Sequence, residues 1–217
     1  MNNIIIHYRM VTLKYLILGD SGSGKTSIRN QYITKTFENN TNSTIGLDFH
    51  IKNENINDQE FKIHFWDMAG QERFRAIVRS YYRNCHAAII VFDLSNRETF
   101  ESLDFWYEEI KKIYQILDDK SILKPTIYLI GNKTDINTRS VTDDEIQKFL
   151  HEKHILKYME CSAKDNYNIS YIFQSLNNDV YQNLVLHNLA NPIQNKRTST
   201  IDINYLQKKH KRCCYIS

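Results

Sequence analysis

The chain has 217 residues, 41% of them hydrophobic, and a formal net charge of +3. That length can bury one well-packed domain plus a tail, and no apolar run approaches the roughly 20 residues that a bilayer-spanning helix needs. From Lys196 to Arg212 there are six Lys or Arg and one acid, leaving 22 bases against 24 acids elsewhere. A near-neutral body with a basic end points to an electrostatic tether and argues against a nucleic-acid-binding face on the domain.

In chain order, Met1–Met10 has too short an apolar patch for a secretory leader, and position 2 is not the Gly that myristoylation requires. Leu13–Leu18 reads as a buried strand. Gly19-Asp20-Ser21-Gly22-Ser23-Gly24-Lys25-Thr26 follows, and a helix with Ile28, Tyr32 and Ile33 on one face runs to about Thr34. Phe37–Ser43 is a polar loop. Ile45, Leu47, Phe49 and Ile51, then Phe61, Ile63 and Phe65, alternate around a polar turn at Asn53–Gln59, which predicts an antiparallel hairpin. Its second strand ends at Trp66-Asp67-Met68-Ala69-Gly70-Gln71-Glu72. Ala87–Asp93 is a continuous apolar strand. Phe100, Leu103, Trp106, Ile110, Ile113 and Leu117 predict one long amphipathic helix.

Pro125–Ile130 is a further buried strand, closed by Gly131-Asn132-Lys133-Thr134-Asp135. Thr142-Asp143-Asp144-Glu145 is a capping box opening a helix to about Glu152. Tyr158–Cys161 is a short strand before Ser162-Ala163-Lys164, and Ile169–Leu184 carries the last helix, which finishes before Pro192. Strands alternating with helices predict an α/β domain with a mainly parallel six-stranded sheet, one antiparallel edge strand and helices on both faces. The domain is expected over 11–188, with a basic tail over 189–217. Ligands of such sheets bind beyond the carboxyl ends of the strands, where every loop singled out below lies.

The four cysteines show no metal-ligand spacing; Cys85 and Cys161 read as buried thiols in a reducing compartment. Only six glycines occur, three of them in Gly19–Thr26 and the others at Gly46, Gly70 and Gly131. Ordinary turns are left to Asn and Asp, so glycine marks places where backbone approaches a ligand or swings.

Gly19–Thr26 fits G-x-x-x-x-G-K-[ST], and strand, glycine loop and helix occur in the order that this motif requires. Its N–H groups can cradle phosphates, Lys25 can reach the β- and γ-phosphates, and the Thr26 hydroxyl can bind Mg²⁺. On this loop alone ATP and GTP both stay open. Asp67, at a strand end, is suited to hold Mg²⁺ opposite the loop hydroxyl. Gly70 can offer its N–H to a γ-phosphate, Gln71 can orient a water, and the Thr44 hydroxyl can complete the metal shell. Asn132–Asp135 selects the base: the Asp135 carboxylate can accept guanine N1–H and N2–H₂, which adenine does not supply. The Lys133 stem can cover one face of the base, Phe37 can pack near the other side, and Ser162–Lys164 can offer N–H groups to guanine O6.

These stretches occur in the order and spacing of Ras-like small GTPases, and Ile45–Phe49, Trp66–Phe74 and Tyr81–Arg83 resemble those that distinguish Rabs. Met68 stands where the family usually has Thr, and Ser23 where Rabs usually have Val. The resemblance implies a phosphate-loop G domain that binds GTP or GDP through Gly19, Asp20, Ser21, Gly22, Ser23, Gly24, Lys25, Thr26, Ser27, Phe37, Thr44, Gly70, Asn132, Lys133, Asp135, Ser162, Ala163 and Lys164. It implies Mg²⁺ on Thr26, Thr44 and Asp67, and hydrolysis through Gln71.

It further implies a monomeric GDP/GTP switch in vesicle trafficking. An exchange factor (GEF), an activating protein (GAP), GDI or an escort protein, and effectors would meet it through 41–49 and 68–83. No Arg lies between Phe37 and Thr44 to act as a finger in cis, so hydrolysis is expected to be slow and GAP-stimulated. Cys213-Cys214 after a basic run resembles the Rab double geranylgeranylation site, while Cys214–Ser217 also fits C-a-a-X, which suggests farnesylation of Cys214 alone. Either reading places the chain on the cytoplasmic face of an intracellular membrane, with a soluble cytosolic pool.

Overall fold

The computed structural model describes residues 10–38, 46–68, 82–117, 123–155 and 157–190. Six strands form one sheet: β1 (Val11–Leu18), β2 (Leu47–Ile56), β3 (Gln59–Met68), β4 (Ala87–Asp93), β5 (Thr126–Asn132) and β6 (Lys157–Glu160), in the order β2-β3-β1-β4-β5-β6. All neighbours are parallel except β2 against β3. The expected mainly parallel sheet with one antiparallel edge is therefore present. The helices are α1 (Lys25–Ile33), α2 (Arg97–Glu101), α3 (Leu103–Leu117), α4 (Asp143–Lys153) and α5 (Ile169–Ala190).

Strand alternation divides the core into two layers. Leu13, Tyr15 and Ile17 of β1 join Ile28 and Tyr32 of α1 and Ile172, Phe173 and Leu176 of α5. Leu16 and Leu18 point the other way, into a layer with Leu103, Trp106 and Ile110 of α3 and Ile146 and Phe149 of α4. All seven residues of β4 are buried, as its unbroken apolar run requires with both faces covered. Cys85 and Cys161 are buried thiols, and burial raises the Cys161 thiol to about 12. Met68 is 2% exposed and faces Leu47 across the β2–β3 ladder in the second layer, so this departure from the family pattern is a packing residue.

Two expectations change. The β2–β3 turn is only Asn57-Asp58, both with positive φ (51° and 65°), a tight hairpin in which short polar side chains tolerate the left-handed region. The single helix expected from Phe100 to Leu117 is broken at Ser102. Its N–H and Oγ both bond the Glu98 carbonyl at 3.1 Å, closing α2 before α3 starts. The capping box is present as read: Glu145 N–H donates to Thr142 Oγ1 at 3.3 Å and Thr142 N–H to Glu145 Oε2 at 2.9 Å. Among the described residues no helix is long and apolar enough to cross a membrane.

Candidate functional site

The carboxyl ends of β1, β3, β4, β5 and β6 lie along one edge of the sheet, and the loops that leave them meet there. Gly19, directly after β1, has φ 136°, and a Cβ on it would lie 2.1 Å from the Val91 carbonyl oxygen of β4. Gly24 has φ 93°, and its Cβ would lie 2.1 Å from Asn132 Nδ2. Only glycine lets the loop pass between these neighbours. Gly24 also caps α1 without a side-chain bond to the helix end, and the loop so leads into a positive helix terminus suited to anions.

Lys25 is 6% exposed, and its Nζ donates to the Asp20 carbonyl at 2.7 Å. Burial lowers its pKa to about 8, with the charges of Asp67 and Asp20 opposing. The loop is held from the far side by α3, where Trp106 Nε1 donates to Asp20 Oδ1 at 2.8 Å. Ser21 and Gly22 are exposed, Ser27 is half-buried, and Phe37 packs half-buried against the α1–α5 layer.

Thr26 Oγ1 donates to Asp67 Oδ2 at 2.6 Å. Asp67 is fully buried, and burial raises its pKa against the Thr26 bond and the Arg29 and Lys25 charges. Its second oxygen, Oδ1, and the Ser23 hydroxyl are buried without hydrogen-bond partners. A buried orphan carboxylate oxygen on the residue that holds the Thr26 hydroxyl gives an all-oxygen donor set that fits a hard cation such as Mg²⁺.

On the other side of the loop, Asn132 is 1% exposed and joins three segments. Its Nδ2 donates to the Ser23 carbonyl at 2.9 Å, and its Oδ1 accepts from Ala163 N–H at 3.2 Å and Cys161 Sγ at 3.5 Å. Lys133 has φ 70° and Nζ 2.7 Å from Asp93 Oδ2, an acid that ends β4. Asp135 Oδ1 accepts from Ser162 Oγ at 2.7 Å, and Lys164 Nζ lies 3.8 Å from Asp135 Oδ2. The loops after β1, β5 and β6 thus form one bonded unit, with the Asp135 carboxylate set in place and partly open. Such a unit can bind phosphate at one end and a base with adjacent N–H donors at the other.

The site residues Thr44, Gly70, Gln71, Cys213 and Cys214 lie outside the described residues. Four residues of the site were not singled out from sequence: Asp48, Asp93, Trp106 and Arg29. Asp93 closes an apolar strand as Asp67 does, and that shared position was a usable signal. Trp106 reads as core, although a buried indole N–H generally needs a partner. Arg29 carried a weaker one, an Arg directly beside Ile28 on a short helix.

Residues 14–182 match the family model described as the Ras family. The chain is 38% identical over 172 residues to Ras-related protein Rab-2B of Dictyostelium discoideum, covering 79% of this chain and 81% of that one. It is 34% identical over 209 residues to Ras-related protein Rab-12 of Homo sapiens, covering 93% and 83%. It is also 34% identical over 178 residues to Ras-related protein RABG3d of Arabidopsis thaliana, covering 81% and 85%. Conventional in its sheet and in its motifs, the chain belongs to the Rab family of Ras-like small GTPases.

Proposed function

We propose that this GTPase is a GDP/GTP switch that recruits effectors in intracellular vesicle trafficking. The observation that carries this reading is the Asn132 bridge from the Ser23 carbonyl to Ala163 N–H, which joins a phosphate cradle to a base-reading loop. Gly19–Ser27 surround the phosphates, and Lys25 neutralises their oxygens. Asp135 accepts guanine N1–H and N2–H₂, Lys133 and Phe37 flank the base, and Ser162, Ala163 and Lys164 frame its O6 edge. Thr26, Asp67 and Thr44 would hold Mg²⁺, which when bound supplies charge neutralisation to the β- and γ-phosphate oxygens. Gly70 N–H donates to a γ-phosphate oxygen, and Gln71 orients the attacking water in line with the leaving group. With no Arg in the loop before Thr44, turnover is slow, and a GAP supplying one accelerates it by about 10³–10⁵.

Effectors, GEF, GAP, and GDI or an escort protein meet the monomer through 41–49 and 68–83. In support, Phe49 and Ile51 on β2 are 41% and 48% exposed, and the Phe49 ring stands edge-on to Trp66 at 5.0 Å. Apolar exposure of that kind on a strand face marks an interaction surface. Prenylation at Cys213 and Cys214, beside the basic run, gives a stable but reversible hold on the cytoplasmic face of an intracellular membrane. Competition of unlabelled GTP and ATP against bound fluorescent GDP tests the core of the reading. GTP displaces it and ATP does not; equal displacement refutes guanine selection.

A further inference from the structure

In the β2–β3 ladder Asp48 lies directly opposite Asp67, so two carboxylates share one face of an antiparallel pair, an arrangement that repels. Arg29 of α1 enters between them. Its Nη1 is 2.6 Å from Asp48 Oδ2 and 3.2 Å from Asp67 Oδ2, and its side chain is 3% exposed. Asn30 Oδ1 accepts from its Nε at 3.2 Å and its Nη2 at 2.9 Å, fixing the plane of the guanidinium. The Asp67 oxygen that meets Arg29 is the one that accepts from Thr26, and the other oxygen is the buried orphan. A permanent positive charge therefore sits against the carboxylate assigned to the metal.

We propose that Arg29 is a built-in counter-charge that sets how much Mg²⁺ the nucleotide site requires. The proposal rests on the reading that Thr26 and Asp67 hold the metal. Arg29 is a positioning residue with two opposed effects. It draws on the same negative charge as Mg²⁺ and weakens the ion's hold. When Mg²⁺ is withdrawn, it shields the phosphates from Asp67 and slows nucleotide loss. The exposed partner, Asp48, 42% exposed at its side chain, takes part of the guanidinium's charge and so moderates both effects.

The test is release of fluorescent GDP from the full chain across a range of buffered free Mg²⁺, with urea denaturation run on each variant. Arg29→Gln keeps a polar side chain and removes the charge. Its Mg²⁺ midpoint for holding GDP is expected to fall about tenfold, because one close charge at effective ε of about 20 is a large term. Its metal-free release speeds up. Asp48→Asn leaves Arg29 to Asp67 alone, and its midpoint rises.

A strut that merely closes α1 onto β2 would loosen in both variants, and the two midpoints would move the same way. That result overturns the proposal, as does an unchanged midpoint in Arg29→Gln. Should Arg29→Gln not fold, the rise expected of Asp48→Asn decides alone. A wild-type chain that releases GDP at one rate at all Mg²⁺ concentrations refutes the metal reading itself, and the proposal with it.

Discussion

Asn132 donates from Nδ2 to the carbonyl oxygen of Ser23, 2.9 Å away and 109 residues earlier in the chain. With Ala163 N–H on its Oδ1, this one amide satisfies backbone groups of two loops in a buried place. Asn132→Ala leaves both orphaned, and each buried orphan costs about 1–3 kcal/mol. A loss of about 3 kcal/mol in urea denaturation is expected, with faster release of GDP. Unchanged stability would mean that water replaces the amide.

The Ser23 hydroxyl makes no hydrogen bond although the residue is 0% exposed. Ser23→Ala removes the unpaired oxygen and adds no volume. It should stabilise the domain by about 1 kcal/mol, read as a higher urea midpoint at unchanged slope. A lower midpoint would show that the hydroxyl has a partner in solution.

Lys25 links stability to pH. Burial holds its folded pKa at about 8, below the ordinary 10.5. Below pH 8 the lysine is protonated whether folded or unfolded, so the full burial penalty is present. Between 8 and 10.5 the unfolded chain binds more protons, so stability rises with pH, by on the order of 3 kcal/mol across the window. Denaturation of nucleotide-stripped protein at pH 7.5 and 10 checks the sign. Lys25→Met should abolish this part of the slope.

Trp106 lets α3 hold the phosphate loop. Trp106→Phe preserves most of the buried area and deletes the Nε1 bond to Asp20 Oδ1. About 1 kcal/mol of stability and a few-fold faster GDP release are expected. If the bond is the cause, Asp20→Ala combined with Trp106→Phe costs less than the two separate changes together.

Much of this was legible because period and punctuation agree. β4 is six apolar residues closed by an acid, and β1 leads straight into Gly19, so strand, loop and helix could be placed from local pattern alone. What escaped was decided by side-chain contacts that hydrophobic spacing does not carry. The helix break at Ser102 lies inside an apolar spacing that continues across it, and only the side-chain bond to Glu98 reveals it. Arg29 reads as a helix residue until the β2–β3 register sets Asp48 against Asp67, a pairing 19 residues apart that no local window contains. The glycine reading also needed space as well as torsion. Gly131 has no left-handed φ, and a Cβ there would meet Tyr158 Oη at 2.8 Å and Leu94 Cδ2 at 3.0 Å, so it serves close packing.

The position of β1 gives the molecule a mechanical direction. It runs parallel to β3 through seven register pairs on one side and to β4 through four on the other. A force on the amino end, such as an unfolding motor applies, loads both ladders in shear, so their bonds must fail together instead of peeling in turn. Gly19 is the next residue after β1, so a nucleotide gripped by the loop lies in line with that force and adds its hold to it. Pulled from the carboxyl end, the chain yields α5 first, and the loaded site is spared until later. That helix is joined to the sheet by side-chain packing and side-chain hydrogen bonds such as Tyr15 Oη to Asn177 Oδ1 and Asn183 Nδ2 to Thr126 Oγ1, with no backbone ladder. Occupancy of the site therefore hardens the protein against pulling from one end far more than from the other.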